Sequence, residues 1–205
     1  MFSPLPIGEL GKKQDVLGFL GLVLVQGENK VLEVPLHVIH LDQDDPRKCT
    51  ARKLHSMGLV QMHDSSFASP RRGFLLDPQT DVVFGPEDRT LAKMGGSLVV
   101  LDCSWKKIDH ALLEIKGRTK LQSRKLPKLL PANSVSWGKI GRLSSAEALA
   151  ASLSILGFEE QAMKVLEKFQ FGEEFLNLNK EPLLAYSQAG SREDVEIIEG
   201  QFFDD

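Results

Sequence analysis

Apolar residues open the chain in two extended runs, 15–26 and 32–41, separated by the polar Gly27-Glu28-Asn29-Lys30. Two such runs around a short polar connection predict a hairpin. The second run leads to Asp45-Pro46, a capping acceptor before a proline at the first helical position, and the pattern through Leu54 and Met57 stops at Gly58. That spacing predicts a helix. Gly73 to Leu76 and Asp81 to Phe84 read as short strands about a turn at Asp77-Pro78. Pro86-Glu87-Asp88 opens a further helix, Gly95-Gly96 closes it, and Ser97 to Cys103 is a continuous apolar run. Strands of that kind lie in the middle of parallel sheets. Ser144, three residues before Glu147, signals the cap of an alanine-rich helix that ends at Gly157. Helical patterns continue over 159–169 and 172–186, and the end from Ser191 is expected to fray or dock loosely. Strands alternating with helices through the first two thirds predict an α/β fold with a mostly parallel sheet and a helical C-terminal part.

Composition narrows this picture. With 205 residues, 42% of them hydrophobic and 26% charged, the chain has enough material for one substantial core. The apolar stretch from Val16 to Val25 is broken by Gly18 and Gly21 and falls short of the ~20 residues a membrane helix needs. Asp15 before it and the polar residues after it do not fit a cleaved leader, so it reads as a buried strand. Cys49 and Cys103 stand far apart, without the spacing of a disulfide framework or a zinc site, which fits a reducing cytoplasm. His37, His40, His55, His63 and His110 also lack metal-ligand spacing, and on a strand His37 and His40 point to opposite faces. No metal is expected.

The net charge of -3 hides an asymmetry. Residues 106–142 carry ten Lys or Arg against Asp109 and Glu114, a net of +8. Residues 191–205 set Arg192 against six carboxylates, a net of -5. A polyanion would meet the first segment, although a basic loop can also be only a solvated face.

Ligands of open α/β sheets collect at strand carboxyl ends and helix N-termini. Three places qualify: the helix start around Asp45 to Thr50, the strand end Leu101-Asp102-Cys103-Ser104-Trp105, and the segment from Trp137 to Ser145. Helix termini for a carboxylate, Trp105 for an adenine face and Asp102 near a positive centre would suit S-adenosylmethionine (SAM). Taken singly, each has a plainer reading, since a strand-end Asp is often structural and Trp105 can fill a core gap.

The blocks D-D-P-R-K-C-T-A-R-K-L (44–54), L-D-C-S-W (101–105), K-L-P-K-L-L-P-A-N-S-V-S-W-G (125–138) and L-S-S-A-E-A (143–148) resemble, in order and spacing, the rRNA aminocarboxypropyltransferases. The resemblance runs from about residue 35 to 186. It implies a fold similar to SPOUT methyltransferases, with a deep C-terminal trefoil knot that holds SAM. It divides the chain into an N-terminal extension (1–31) with an extra strand, a SAM-binding region (32–190) and an acidic tail (191–205). By motif position, Thr50 and the N-terminus of the Ser145 helix grip the SAM carboxylate, and the Leu101 backbone holds the ribose. The backbones of Leu126 and Gly141 read the adenine edge, while Leu76, Pro78, Trp105, Leu143 and Ala148 wall its pocket. Asp102 sits beside the sulfonium, as a binding group or as a base. The family usually has A-A-N-P-V-N-Y-G where this chain has Pro131 to Gly138, an aromatic at Gly141, and a threonine or cysteine at Ser145.

The implied reaction moves the 3-amino-3-carboxypropyl group of SAM to the imino nitrogen of a methylated pseudouridine in small-subunit rRNA and releases methylthioadenosine. Arg118, Lys120, Arg124, Lys125 and Lys128 are the expected contacts to rRNA or a pre-ribosomal subunit, made by a monomer with no membrane attachment. Two alternatives stay open: a SPOUT-type rRNA methyltransferase, and a non-catalytic ribosome-assembly factor.

Overall fold

The computed structural model describes residues 32–41, 49–65, 68–102, 108–117 and 119–203. Residues 32–205 make one compact unit, built on a five-stranded sheet of order β2-β1-β4-β3-β5. The strands are β1 (Leu36–His40), β2 (Gln61–His63), β3 (Gly73–Leu76), β4 (Ser97–Asp102) and β5 (Gln122–Arg124). Every pairing among these strands is parallel, so their carboxyl ends share one edge. The register sets His40 beside Asp102 and Leu76 beside Arg124 at that edge.

Alternation along β1 and β4 sorts the core into two layers. Leu36, Val38, Leu98 and Val100 face the larger cluster, under α1 (Thr50–Ser56), α4 (Ser145–Leu156) and the C-terminal helices. Ile39, Leu75 and Val99 face the other side, where Leu112 and Ile115 of α3 (Ile108–Lys116) cover them. The sheet is therefore sandwiched by helices, with its long face served by the alanine-rich α4.

Several expectations need correcting. The first strand of the expected hairpin lies outside the described residues, and β1 has both edges occupied by parallel neighbours. The helix expected from Asp45 starts at Thr50 with Cys49 as its cap, the thiol accepting the Arg52 N–H; residues 42–48 lie outside the described residues. Asp81 to Phe84 contributes one bridge, Val83 to Lys125, instead of a strand. The helix opened by Pro86 begins as a 3-10 turn (Pro86–Asp88) before α2 (Arg89–Lys93). The pattern over 159–169 is α5 (Glu159–Leu166), and that over 172–186 is two helices, α6 (Gly172–Leu178) and α7 (Lys180–Gln188). Asn179 at their junction is fully buried and clamps Leu130, accepting its N–H and donating to its carbonyl. Pro182 lies in the first turn of α7, where its missing N–H costs no helical bond.

The acidic end does not fray. It forms α8 (Arg192–Phe202), capped by Ser191 and docked through buried Val195. Arg192 joins Arg124 on the buried carboxylate of Asp88, and Glu199 accepts the Lys128 N–H. The capping box of α4 is as expected: Ser144 accepts the Glu147 N–H, Glu147 returns to the Ser144 N–H, and left-handed Gly157 ends the helix.

Candidate active site

Three segments distant in sequence meet at the side chain of Asp102, which is 8% exposed at the end of β4. His40, from the end of β1, places Nδ1 2.7 Å from Asp102 Oδ2. Cys49, capping α1, donates its thiol to the same oxygen at 3.0 Å. Ser145, the first residue of α4, brings Oγ within 3.4 Å of Asp102 Oδ1. The two ends of the carboxylate are thus used differently. Oδ2 is filled by donors from the protein, and Oδ1 faces the start of α4.

Arg52 fixes the proton arrangement. Its Nη2 lies 3.1 Å from His40 Nε2. A guanidinium only donates, so Nε2 is the acceptor, and the network assigns the ring proton to Nδ1, aimed at Asp102. The chain Arg52, His40, Asp102 is an orienting device, because a proton passed along it would end against an arginine. A cleft of about 370 Å³, lined by His40, Leu41, Arg52, Met62 and Asp64, opens beside it.

The donor atoms of His40, Cys49 and Asp102 lie within 4.8 Å of one another, a spacing that a divalent ion can bridge. The donor set opposes that use. A metal on His40 Nδ1 would move the ring proton to Nε2, against the Arg52 guanidinium. Burial, reinforced by the hydrogen bond to Asp102, pushes the Cys49 thiol up to about 11, far from the thiolate a metal takes.

Four of the other expected SAM contacts belong to the larger core cluster. Leu76 and Leu143 are buried in the larger core cluster, and Leu126 and Ala148 pack against it. Thr50 is half-buried at the first position of α1. Leu101 is half-buried and leans to the opposite core, which leaves its backbone at the strand end. Pro78 is exposed after buried Asp77, whose carboxylate accepts the Gln79 N–H. Gly141 is exposed with φ of 76°, a conformation an aromatic residue would adopt under strain, and its N–H donates to the Leu129 carbonyl. Trp105 lies outside the described residues.

The basic candidates separate. Lys120 is exposed, and Lys125 is half-buried with its backbone bridging Val82 and Phe84. Arg124 is committed to the fold: Nε donates to both oxygens of Asp88, and the guanidinium stacks over Phe74. Lys128 points its Nζ at the Phe203 carbonyl, 3.5 Å away. A buried carboxylate needs its cation more than a polyanion does, so Arg124 is withdrawn from the expected RNA contacts. Arg118 lies outside the described residues.

A chain of Methanosarcina mazei named 16S rRNA aminocarboxypropyltransferase is 41% identical over 174 residues, which cover 85% of this chain and 96% of that one. This chain belongs to the 16S rRNA aminocarboxypropyltransferase family. Its relative in Halobacterium salinarum, of the same name, is 38% identical over 82% of this chain and 96% of its own. A family model described as "Ribosome biogenesis protein, C-terminal" matches residues 74–203. The solved structure of the SAM-dependent rRNA:acp-transferase Tsr3 from Vulcanisaeta distributa superposes with a TM-score of 0.71 at 36% identity, covering 83% of this chain and 96% of that one. Residues 34–66 also match a model described as "Possible Fer4-like domain in RNase L inhibitor, RLI". That segment of this transferase-family chain holds one cysteine, Cys49, and an iron–sulfur cluster needs several thiolates, so the residues do not fit a cluster.

His40, Cys49 and Arg52 were not singled out by sequence reasoning for the site. Strand parity puts His40 on the face of Leu36 and Val38, and Cys49 stands inside the 44–54 block, but their meeting depends on the β1–β4 register.

Proposed function

We propose that this chain transfers the 3-amino-3-carboxypropyl group of SAM to the imino nitrogen of a methylated pseudouridine in small-subunit rRNA during ribosome biogenesis. The observation that carries the reading is the meeting of the α1 start, the β4 end and the α4 start at Asp102. The Thr50 hydroxyl and the N-terminus of α4 hold the amino-acid carboxylate of SAM, where unpaired N–H groups favour an anion. The Leu101 backbone holds the ribose. The Leu126 backbone and the Gly141 carbonyl read the adenine edge, the Gly141 N–H being engaged elsewhere. Leu76, Pro78, Trp105, Leu143 and Ala148 enclose the ring.

In the reaction the imino nitrogen attacks the γ-carbon, the new N–C bond forms as the C–S bond breaks, and sulfur leaves with the electron pair as neutral methylthioadenosine. All three sulfonium substituents are activated, so the protein selects one by geometry. Asp102 is held with Oδ2 filled, which leaves Oδ1 to sit beside the sulfonium. The positive charge on sulfur falls on the way to the transition state and is gone in the product, so this contact strengthens SAM binding and does not accelerate transfer. The imino proton leaves to solvent.

The reading extends to a monomer acting in the cytoplasm, and to a knotted C-terminal path as in SPOUT methyltransferases. The return of the chain from the edge strand β5 to central β4, where Ser145 meets Asp102, supports that path. Mass spectrometry of the nucleoside by-product, after incubation with SAM and small-subunit RNA bearing the methylated pseudouridine, tests the chemistry. Methylthioadenosine is expected. S-adenosylhomocysteine would make the protein a methyltransferase, and SAM binding with neither product would shift the weight to an assembly factor or to a different RNA substrate.

A further inference from the structure

The loop before α4 carries an unusual surface. Trp137 is 60% exposed, between Val135 at 72% and Ile140 at 49%. Exposed Lys139 and Arg142 flank them, and residues 134–142 include no acid. A large ring left in water invites a partner, and these neighbours specify one with negative charge.

The loop is built to hold its shape. Glu147 is fully buried and accepts from the backbone N–H groups of Ala132, Asn133 and Ser144 and from the Asn133 side-chain amide. Asn133 in turn accepts the Ser136 N–H, the Lys139 backbone N–H donates to the Ser136 carbonyl, and the Gly141 N–H donates to the Leu129 carbonyl. Trp137 thus projects from a braced turn rooted in the same helix whose first residue, Ser145, touches Asp102. An aromatic residue on a backbone fixed in this way stacks on a base without the cost of ordering the loop.

Resting on the function proposed above, we propose that Trp137 is a stacking platform for an unpaired rRNA base next to the target nucleotide, with Lys139 and Arg142 holding the adjoining phosphates. Proteins that grip single-stranded RNA combine these two elements, cationic contacts along the backbone and aromatic faces for the bases. The loop would then set which unpaired nucleotide reaches the SAM γ-carbon.

The test measures binding of a stem–loop of small-subunit rRNA, with N-methylated pseudouridine in its loop, across a range of salt. Trp137→Ala should weaken RNA affinity about ten- to a hundredfold, with Trp137→Phe retaining most of it. SAM affinity of both variants should equal that of the wild type, which separates the effect from misfolding. The slope of log affinity against log salt should stay unchanged in Trp137→Ala and fall by about one in Lys139→Gln, because only the second removes a phosphate contact. Wild-type RNA affinity in Trp137→Ala would overturn the proposal and leave the surface to another occupant, such as a protein of the pre-ribosome. The two readings fail separately. Methylthioadenosine release with unaltered RNA binding in Trp137→Ala removes the platform alone, whereas Trp137-dependent RNA binding without methylthioadenosine removes the transfer alone.

Discussion

Replacing Glu147 by glutamine changes one atom and should undo the floor of the site. Glu147 is fully buried and accepts four hydrogen bonds, two on Oε1 from the N–H groups of Ala132 and Asn133 and two on Oε2 from Ser144 N–H and Asn133 Nδ2. Glutamine keeps one oxygen and so satisfies one pair. Its amide nitrogen then faces two donors, and turning the Asn133 amide would sacrifice the Ser136 N–H that its oxygen accepts. Bonds to a charged acceptor contribute ~1.5–3 kcal/mol each, so losing two costs about 3–6 kcal/mol. For a domain of this size, each kcal/mol moves the melting temperature by ~2–4 °C, which places the expected fall at about 6–24 °C. Calorimetric melting of both proteins with and without SAM reads this directly, and the stabilisation by SAM should shrink too, because the same carboxylate braces the start of α4. A Glu147→Gln protein melting within about 2 °C of wild type, with full SAM stabilisation, would refute the reasoning.

Asp102→Ala should weaken SAM binding while turnover at saturating SAM stays normal; turnover lost at saturation would instead give Asp102 a role in removing the imino proton. Arg124→Ala strips one of the two arginines that face buried Asp88 and, with Arg192 still on that carboxylate, should cost about 1.5–3 kcal/mol in urea unfolding. Its RNA affinity should keep the wild-type salt slope, and a shallower slope would return Arg124 to the RNA contacts. His37 is stacked on His63 and held down to about 4 from its ordinary 6.5, chiefly by burial and then by His63. Between those values the unfolded chain binds more protons than the folded one, so stability should fall as the pH drops from 6.5 towards 4. His37→Gln should flatten that dependence in melting curves, and an unchanged slope would show that other groups set it.

Elements whose signals are local were legible in the sequence. The capping box at Ser144 and Glu147 and the glycine stop at Gly157 rest on contacts within a few residues, the continuous apolar run of β4 marks a buried strand by its own composition, and each lies where the pattern put it. What failed was governed by distant partners. The acidic end looked ready to fray because its charges had no visible use. The fold turns Arg192 and Glu199 inward, onto Asp88 and the Lys128 backbone, and the end becomes α8. The break between α6 and α7 has a local cause in Pro182, which cannot donate to the carbonyl four residues before it, whereas the clamp of Asn179 on Leu130 is a pairing that nothing near residue 179 announces.

The candidate site divides along the same line, and the division has a physical cause. Asp102 and Ser145 stand at the end of a strand and the start of a helix, positions where ligand chemistry is expected on general grounds. His40 and Cys49 serve the site through another side chain, and they reach it because parallel register sets His40 beside Asp102 while the α1 cap turns a thiol towards the same oxygen. A residue that orients a functional group carries no chemical signature of its own, since a histidine or a cysteine in a mixed sequence is ordinary. Arg52 is one step further removed: it acts on His40, which acts on Asp102. Each added step replaces sequence spacing with tertiary register, so the groups touching the ligand are readable first and their supports only from the fold.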